Sequence, residues 1–168
     1  MTENDLETID IFGYSMGGYA ALYLARHFPE KVGRIMTFGT KLNWTPDSAE
    51  RETRMLNPEK IEQKVPQFAK ALEAAHAPQD WKNVLTSTAS MLVEMGANPP
   101  LSNDDIERIT CPVHICVGDG DTTAGVEDTI EAQRHFPNAK LTILKDTIHP
   151  IERANIEELA GMATNFFK

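Results

Sequence analysis

Gly13-Tyr14-Ser15-Met16-Gly17 fits the pattern G-x-S-x-G. A serine hydroxyl is a poor nucleophile at neutral pH and needs both a base and an accessible position. The pattern supplies the position when it follows a strand and opens a helix. The serine then sits on a sharp, strained turn with its Oγ above the sheet. Small residues are needed where strand and helix come close, and Gly13, Gly17 and Gly18 are expected to give that room. The backbone N–H of Met16, near the helix amino terminus, would point to where an oxyanion develops. The chemistry that fits is nucleophilic attack by Ser15 with backbone stabilisation of the oxyanion.

The elements around the motif meet its conditions. Residues 8–14, Thr-Ile-Asp-Ile-Phe-Gly-Tyr, read as a short strand rich in β-branched and aromatic residues. Ala21, Leu24, Ala25 and Phe28 then repeat at helical spacing, and Pro29 stops the helix. Val32 to Phe38, Val113 to Val117 and Leu141 to Leu144 are three further strand candidates. A helix from about Val126 to His135 joins the last two, and one from about Ile156 to Phe167 follows, with Asn155 as its cap. Strands alternating with helices predict a parallel sheet with right-handed crossovers. The stretch from about Trp44 to Thr110 shows helical spacing only. Pro66 divides one helical region in two. Trp81, Val84, Leu85, Thr88, Leu92 and Met95 form an amphipathic face that Gly96 is expected to close, and Ser102 with Asp105 opens a short helix.

With these features in place, the chain resembles the α/β-hydrolase superfamily of serine hydrolases. The resemblance implies a parallel α/β-hydrolase sheet with the helical stretch as a cap insertion. The chain then divides into 1–43 (nucleophile strand, elbow, helix and next strand), 44–110 (cap) and 111–168 (the rest of the core). That family orders its catalytic groups as Ser, then Asp or Glu, then His. Beyond the strand that follows the insertion comes Gly118-Asp119-Gly120-Asp121, and the family's G-x-x-D spacing selects Asp121, with Asp119 as the alternative. Turn formation is the other reading of these acids. The base is expected after the next strand, at His149, the one histidine downstream of Asp121 in a loop after a strand. In this scheme Ser15 attacks, His149 moves the proton, Asp121 orients the imidazole and Met16 N–H holds the oxyanion. The implied function is cleavage of a carboxylic ester or related acyl bond through an acyl-serine, without a cofactor. Alternatives are an acyltransferase with the same groups and an inactive or partner-dependent hydrolase fragment.

The resemblance covers nearly all of this chain but only the later part of the family fold. The family places several strands before the nucleophile strand, and these amino-terminal strands are expected to be missing here. Two expectations follow. The apolar free edge of the strand at 8–14 calls for cover, by a homo-oligomer or by a missing amino-terminal segment. The loop that carries the second oxyanion donor is not assignable by motif, and losing one donor costs on the order of 10²–10³ in turnover.

The formal net charge of −9 argues against nucleic-acid or anionic-membrane partners; the partner that the resemblance implies is a small-molecule acyl substrate. Cys111 and Cys116 stand five apart with no second pair, which suggests neither a disulfide framework nor a zinc site. The remaining histidines lack metal-ligand spacing, so no metal is expected. Neither a P-loop nor G-x-G-x-x-G is present. The opening Met1-Thr-Glu-Asn-Asp is not a secretory signal, and the expected location is cytoplasmic. Trp44, Phe68, Trp81, Met91 and Met95 are candidates for an acyl pocket or for packing of the cap helices.

Overall fold

Each strand expected from β-branched composition is a strand in the computed structural model, which describes residues 7–168. Met1–Asp5, read above for targeting, lie outside the described residues. The chain forms two compact units, one from the stretches up to Asn43 and from Leu101 onward, the other Trp44–Pro100.

The first unit carries the sheet. Strand β1 (Ile9–Tyr14) leads into helix α1 (Met16–His27), and β2 (Val32–Phe38) follows. After the other unit come β3 (Val113–Gly118), α7 (Val126–Gln133), β4 (Ala139–Leu144) and α8 (Ile156–Phe166). The strands lie in the order β1-β2-β3-β4, and all three pairings are parallel. This is the expected α/β class. Tyr14 pairs with Phe38 and Phe38 with Cys116, so the carboxyl ends of β1, β2 and β3 finish side by side.

One sheet face packs on α8. Met36, Phe38, Cys116 and Leu144 are buried there with Leu159, against Met162, Ala163, Phe166 and Phe167. Burying a side chain the size of Phe38 contributes about 1.5–3 kcal/mol. Arg34 reaches the last carbonyls of α8, at Phe166 and Phe167, and pairs with Asp10. A guanidinium at a helix carboxyl end satisfies orphan carbonyls and complements the dipole. Burial pushes the Cys116 thiol up to about 12, which keeps it protonated.

Two boundaries differ from the sequence reading by two residues, and others by one. Helix α7 ends at Gln133, not His135, because the N–H groups of Arg134, His135 and Phe136 bond three residues back and tighten the last turn. β4 begins two residues earlier, where Ala139 pairs with Val113.

The second unit is helical: α2 (Pro46–Thr53), α3 (Pro58–Lys64), α4 (Pro66–His76) and α5 (Trp81–Ala97). Pro66 stands at the start of α4, as its break between two helical pieces requires. Trp81 and Leu85 pack with Ile61 and Ala69. Gly96 does not close α5, contrary to the expectation. It lies inside the helix, where a Cβ would come within 2.5 Å of Ala49 Cβ and 2.9 Å of the Thr45 carbonyl, so glycine permits close approach of α2 and α5. Of the pocket candidates, Trp44, Trp81 and Met95 are buried, whereas Phe68 and Met91 are exposed.

The expected insertion of 44–110 is ten residues shorter as a compact unit. Leu101 onward belongs with the sheet unit: Leu101 N–H donates to Tyr19 Oη, and Ile106 and Ile109 are buried. Helix α6 (Asn103–Ile106) opens on the expected cap, Ser102 with Asp105. Hydrogen bonds from the Ser102 hydroxyl and N–H hold the Asp105 carboxyl down to about 2, and Arg26 adds to them.

No helix among the described residues is long and apolar enough to cross a membrane.

Candidate functional site

The turn between β1 and α1 places Ser15 in the left-handed region, with φ 51°. A non-glycine residue there costs of order 1–3 kcal/mol and persists only where its surroundings fix it. Ser15 N–H donates to the Phe38 carbonyl at 2.8 Å, which ties the elbow to the end of β2. The steric demand falls on two of the three glycines. A Cβ on Gly13 would lie 2.5 Å from Gly18 Cα, and one on Gly18 would overlap Thr40 Oγ1. A Cβ on Gly17 would meet nothing within 4 Å among the described residues, so its expected role in making room is not seen.

This contrast gives a direct prediction. Gly18→Ala lowers stability by about 1–3 kcal/mol through overpacking. Gly17→Ala is neutral or stabilising by up to about 1 kcal/mol, from helix propensity. Urea unfolding of both variants beside the parent measures the difference. Equal losses would contradict the packing described.

The other candidates come from the ends of β3 and β4. The turn after β3 carries Asp121 and the loop after β4 carries His149. Ser15 Oγ lies 3.1 Å from His149 Nε2. His149 Nδ1 lies 2.9 Å from Asp121 Oδ2 and 3.2 Å from Oδ1. Asp121 is buried, and its Oδ1 accepts N–H donors from Thr123 (2.9 Å) and Ala124 (2.8 Å). Burial alone would raise its carboxyl; the hydrogen bonds from His149 and Ala124, with His149 charge and Thr123, outweigh it and hold it below the usual range. An ionised Asp121 accepts a proton-bearing Nδ1, which leaves Nε2 free to take the Ser15 proton.

Asp119, the alternative acid, points elsewhere. It is exposed, and its Oδ1 accepts the Thr147 N–H at 3.1 Å. It shapes the loop that leads to His149. Met16 is the first residue of α1, so its N–H has no acceptor within the helix, and the oxyanion role assigned to it needs such a donor.

Three residues contribute in ways that periodicity and motif did not indicate. Tyr14 Oη donates to the His149 carbonyl at 3.1 Å and its ring stacks on Phe38. Gly39, with φ 59°, packs where a Cβ would meet Asp121 Oδ2 at 3.1 Å. Gly118 meets the Thr147 carbonyl so closely that only glycine fits. For Gly39 and Gly118, a glycine ending a strand is the one available hint.

A family model described as "Putative esterase" matches residues 3–150. Among curated proteins, none matches the chain. Solved structures do. A thermophilic esterase from Thermogutta terrifontis is 20% identical with a TM-score of 0.68, over 96% of this chain and 65% of its own. A study of carboxylesterases from the thaumarchaeon Nitrososphaera gargenis gives 16% identity and 0.74, over 99% and 66%. The 2-hydroxy-6-oxo-6-phenylhexa-2,4-dienoate hydrolase of Rhodococcus sp. strain RHA1 gives 18% and 0.67, over 96% and 64%. At these identities the likeness is one of fold. The chain spans just under two thirds of the length of these structures.

Proposed function

We propose, from the premise that this chain belongs to the esterase family, that it hydrolyses a carboxylic ester through an acyl-serine intermediate. Ser15 attacks the carbonyl carbon. His149 Nε2 takes the hydroxyl proton and returns it to the leaving alcohol, and Asp121 stabilises the imidazolium. Met16 N–H donates to the oxyanion of each tetrahedral intermediate. Water, deprotonated by His149, then releases the acid and restores Ser15. The observation that supports this reading is the continuous chain of contacts from Ser15 Oγ through His149 to the buried Asp121. The substrate is a small acyl ester, and the free edge of β1 pairs with a strand from a second copy or from preceding chain in a longer protein.

The test is rapid mixing with p-nitrophenyl acetate followed by mass spectrometry. The expected result is a burst of p-nitrophenol and an acetyl group on the peptide carrying Ser15, both absent in Ser15→Ala. Turnover with no burst and no adduct, undiminished in Ser15→Ala, would overturn the reading. Light scattering checks the edge: an unpaired, well-behaved monomer of this chain counts against a second copy as its cover.

A further inference from the structure

We propose that Gly39-Thr40-Lys41, three successive residues just past β2, form one brace that fixes nucleophile, base and acid relative to each other, with Thr40 and Lys41 as positioning residues. The catalytic consequence rests on the esterase reading; the brace itself rests on geometry.

Each residue meets a different part of the site. Gly39 N–H donates to the Cys116 carbonyl at 2.9 Å, and its positive φ turns the chain across the acid–imidazole pair. A Cβ there would lie 3.1 Å from Asp121 Oδ2 and 3.3 Å from His149 Nδ1, so bare backbone packs against both. Thr40 is buried, and its Oγ1 donates to the Ser15 carbonyl at 3.0 Å. That carbonyl also accepts from Gly18 N–H and Tyr19 N–H. The strained Ser15 backbone is thus pinned from outside its own helix as well as from within it.

Lys41 is only 8% exposed, unusual for a lysine. Its Nζ donates to the Thr123 carbonyl at 3.0 Å, and Thr123 N–H in turn donates to Asp121 Oδ1. A leucine or methionine would fill this volume without the desolvation penalty of an ammonium. What they lack is a donor to hold the Thr123 carbonyl, and through that turn the Asp121 carboxylate. One tripeptide therefore couples the end of β2 to the elbow after β1 and to the acid turn after β3. A displacement of about 1 Å at a reacting group can cost about 10²-fold in rate, which is the scale on which such a brace acts.

The test uses Thr40→Val, Thr40→Ser, Lys41→Met and Lys41→Arg in the full chain, with two readouts. The first is the nuclear magnetic resonance shifts of the His149 ring nitrogens, which report the contacts at Nε2 and Nδ1 whether or not an ester is turned over. The second is kcat and KM for p-nitrophenyl acetate. Thr40→Val is expected to move the Nε2 signal and Lys41→Met the Nδ1 signal, while Thr40→Ser and Lys41→Arg, which keep a donor, stay near the parent. Each disruptive variant should lower kcat by about 10- to 100-fold with KM little changed. Unmoved ring nitrogens in both Thr40→Val and Lys41→Met would overturn the brace. A parent that shows no turnover counts against the esterase reading alone, because the ring-nitrogen shifts still decide the brace.

Discussion

Asp121→Asn is expected to lower kcat by about 10⁴-fold while leaving the fold and KM nearly unchanged. The reason lies in which oxygen is already committed. Oδ1 accepts two backbone N–H groups, from Thr123 and Ala124. In the variant the amide oxygen must keep that place, since an amide nitrogen cannot accept from an N–H donor. The NH₂ group then occupies the Oδ2 position, 2.9 Å from His149 Nδ1 in the parent. An NH₂ facing Nδ1 selects the tautomer with the proton on Nε2. That imidazole cannot take the Ser15 proton. Steady-state kinetics with an activated ester checks this, and a loss below about 10-fold would contradict the assigned geometry.

The same substitution carries a pH signature. Asp121 is held below the usual carboxylate range in the folded chain. A group with a lowered folded pKa contributes stability that is present above its unfolded value, near 3.9, and is lost as pH falls through the folded value. Urea unfolding should therefore show the parent losing stability below about pH 4, and Asp121→Asn losing less over the same interval.

Gly118→Ala is expected to be the most damaging single methyl group in the sheet unit. The added Cβ would overlap the Thr147 carbonyl oxygen and lie 2.7 Å from its carbon. Both are backbone atoms, so no rotamer change relieves the clash. The Thr147 carbonyl accepts Gly120 N–H, and Thr147 N–H donates to Asp119, so the two loops must separate together. Overpacking of this kind costs up to about 3 kcal/mol, or about 6–12 °C in Tm for a chain of this size. Thr147 stands two residues before His149, so the displacement reaches the base, and activity should fall by at least about 10²-fold. Thermal unfolding and kinetics on one sample measure both effects. A stable, fully active variant would show that the loops are not packed as described.

Much of this was legible in the residues themselves. The four strands and the elbow follow from β-branched runs and from a glycine pattern whose steric logic is local. Pro29, Pro66 and the Ser102 cap also act within a few residues of themselves. The positions of Asp121 and His149 could be ranked only because a resemblance supplied their order. Composition alone left Asp119 open, and the choice between the two acids depends on which way a turn faces. The two misread glycines have one cause. Gly96 and Gly17 differ in what lies opposite them, a neighbour from a distant part of the chain for the first and none among the described residues for the second, and the close contact at Gly118 is set by a distant neighbour in the same way. Thr40 and Lys41 escaped notice for the same reason: their hydrogen bonds reach carbonyls 25 and 82 positions away. Lys41, in particular, looks like surface until the fold buries it.

The proposed chemistry requires that His149 and Asp121 activate Ser15. Labelling of the purified, folded chain with a fluorophosphonate probe tests it most directly, because such a probe needs an activated serine and no particular substrate. The expected result is stoichiometric labelling of the parent at Ser15, none in Ser15→Ala, and very slow labelling in His149→Ala. A folded parent that takes no label, or takes it equally well without His149, would contradict it.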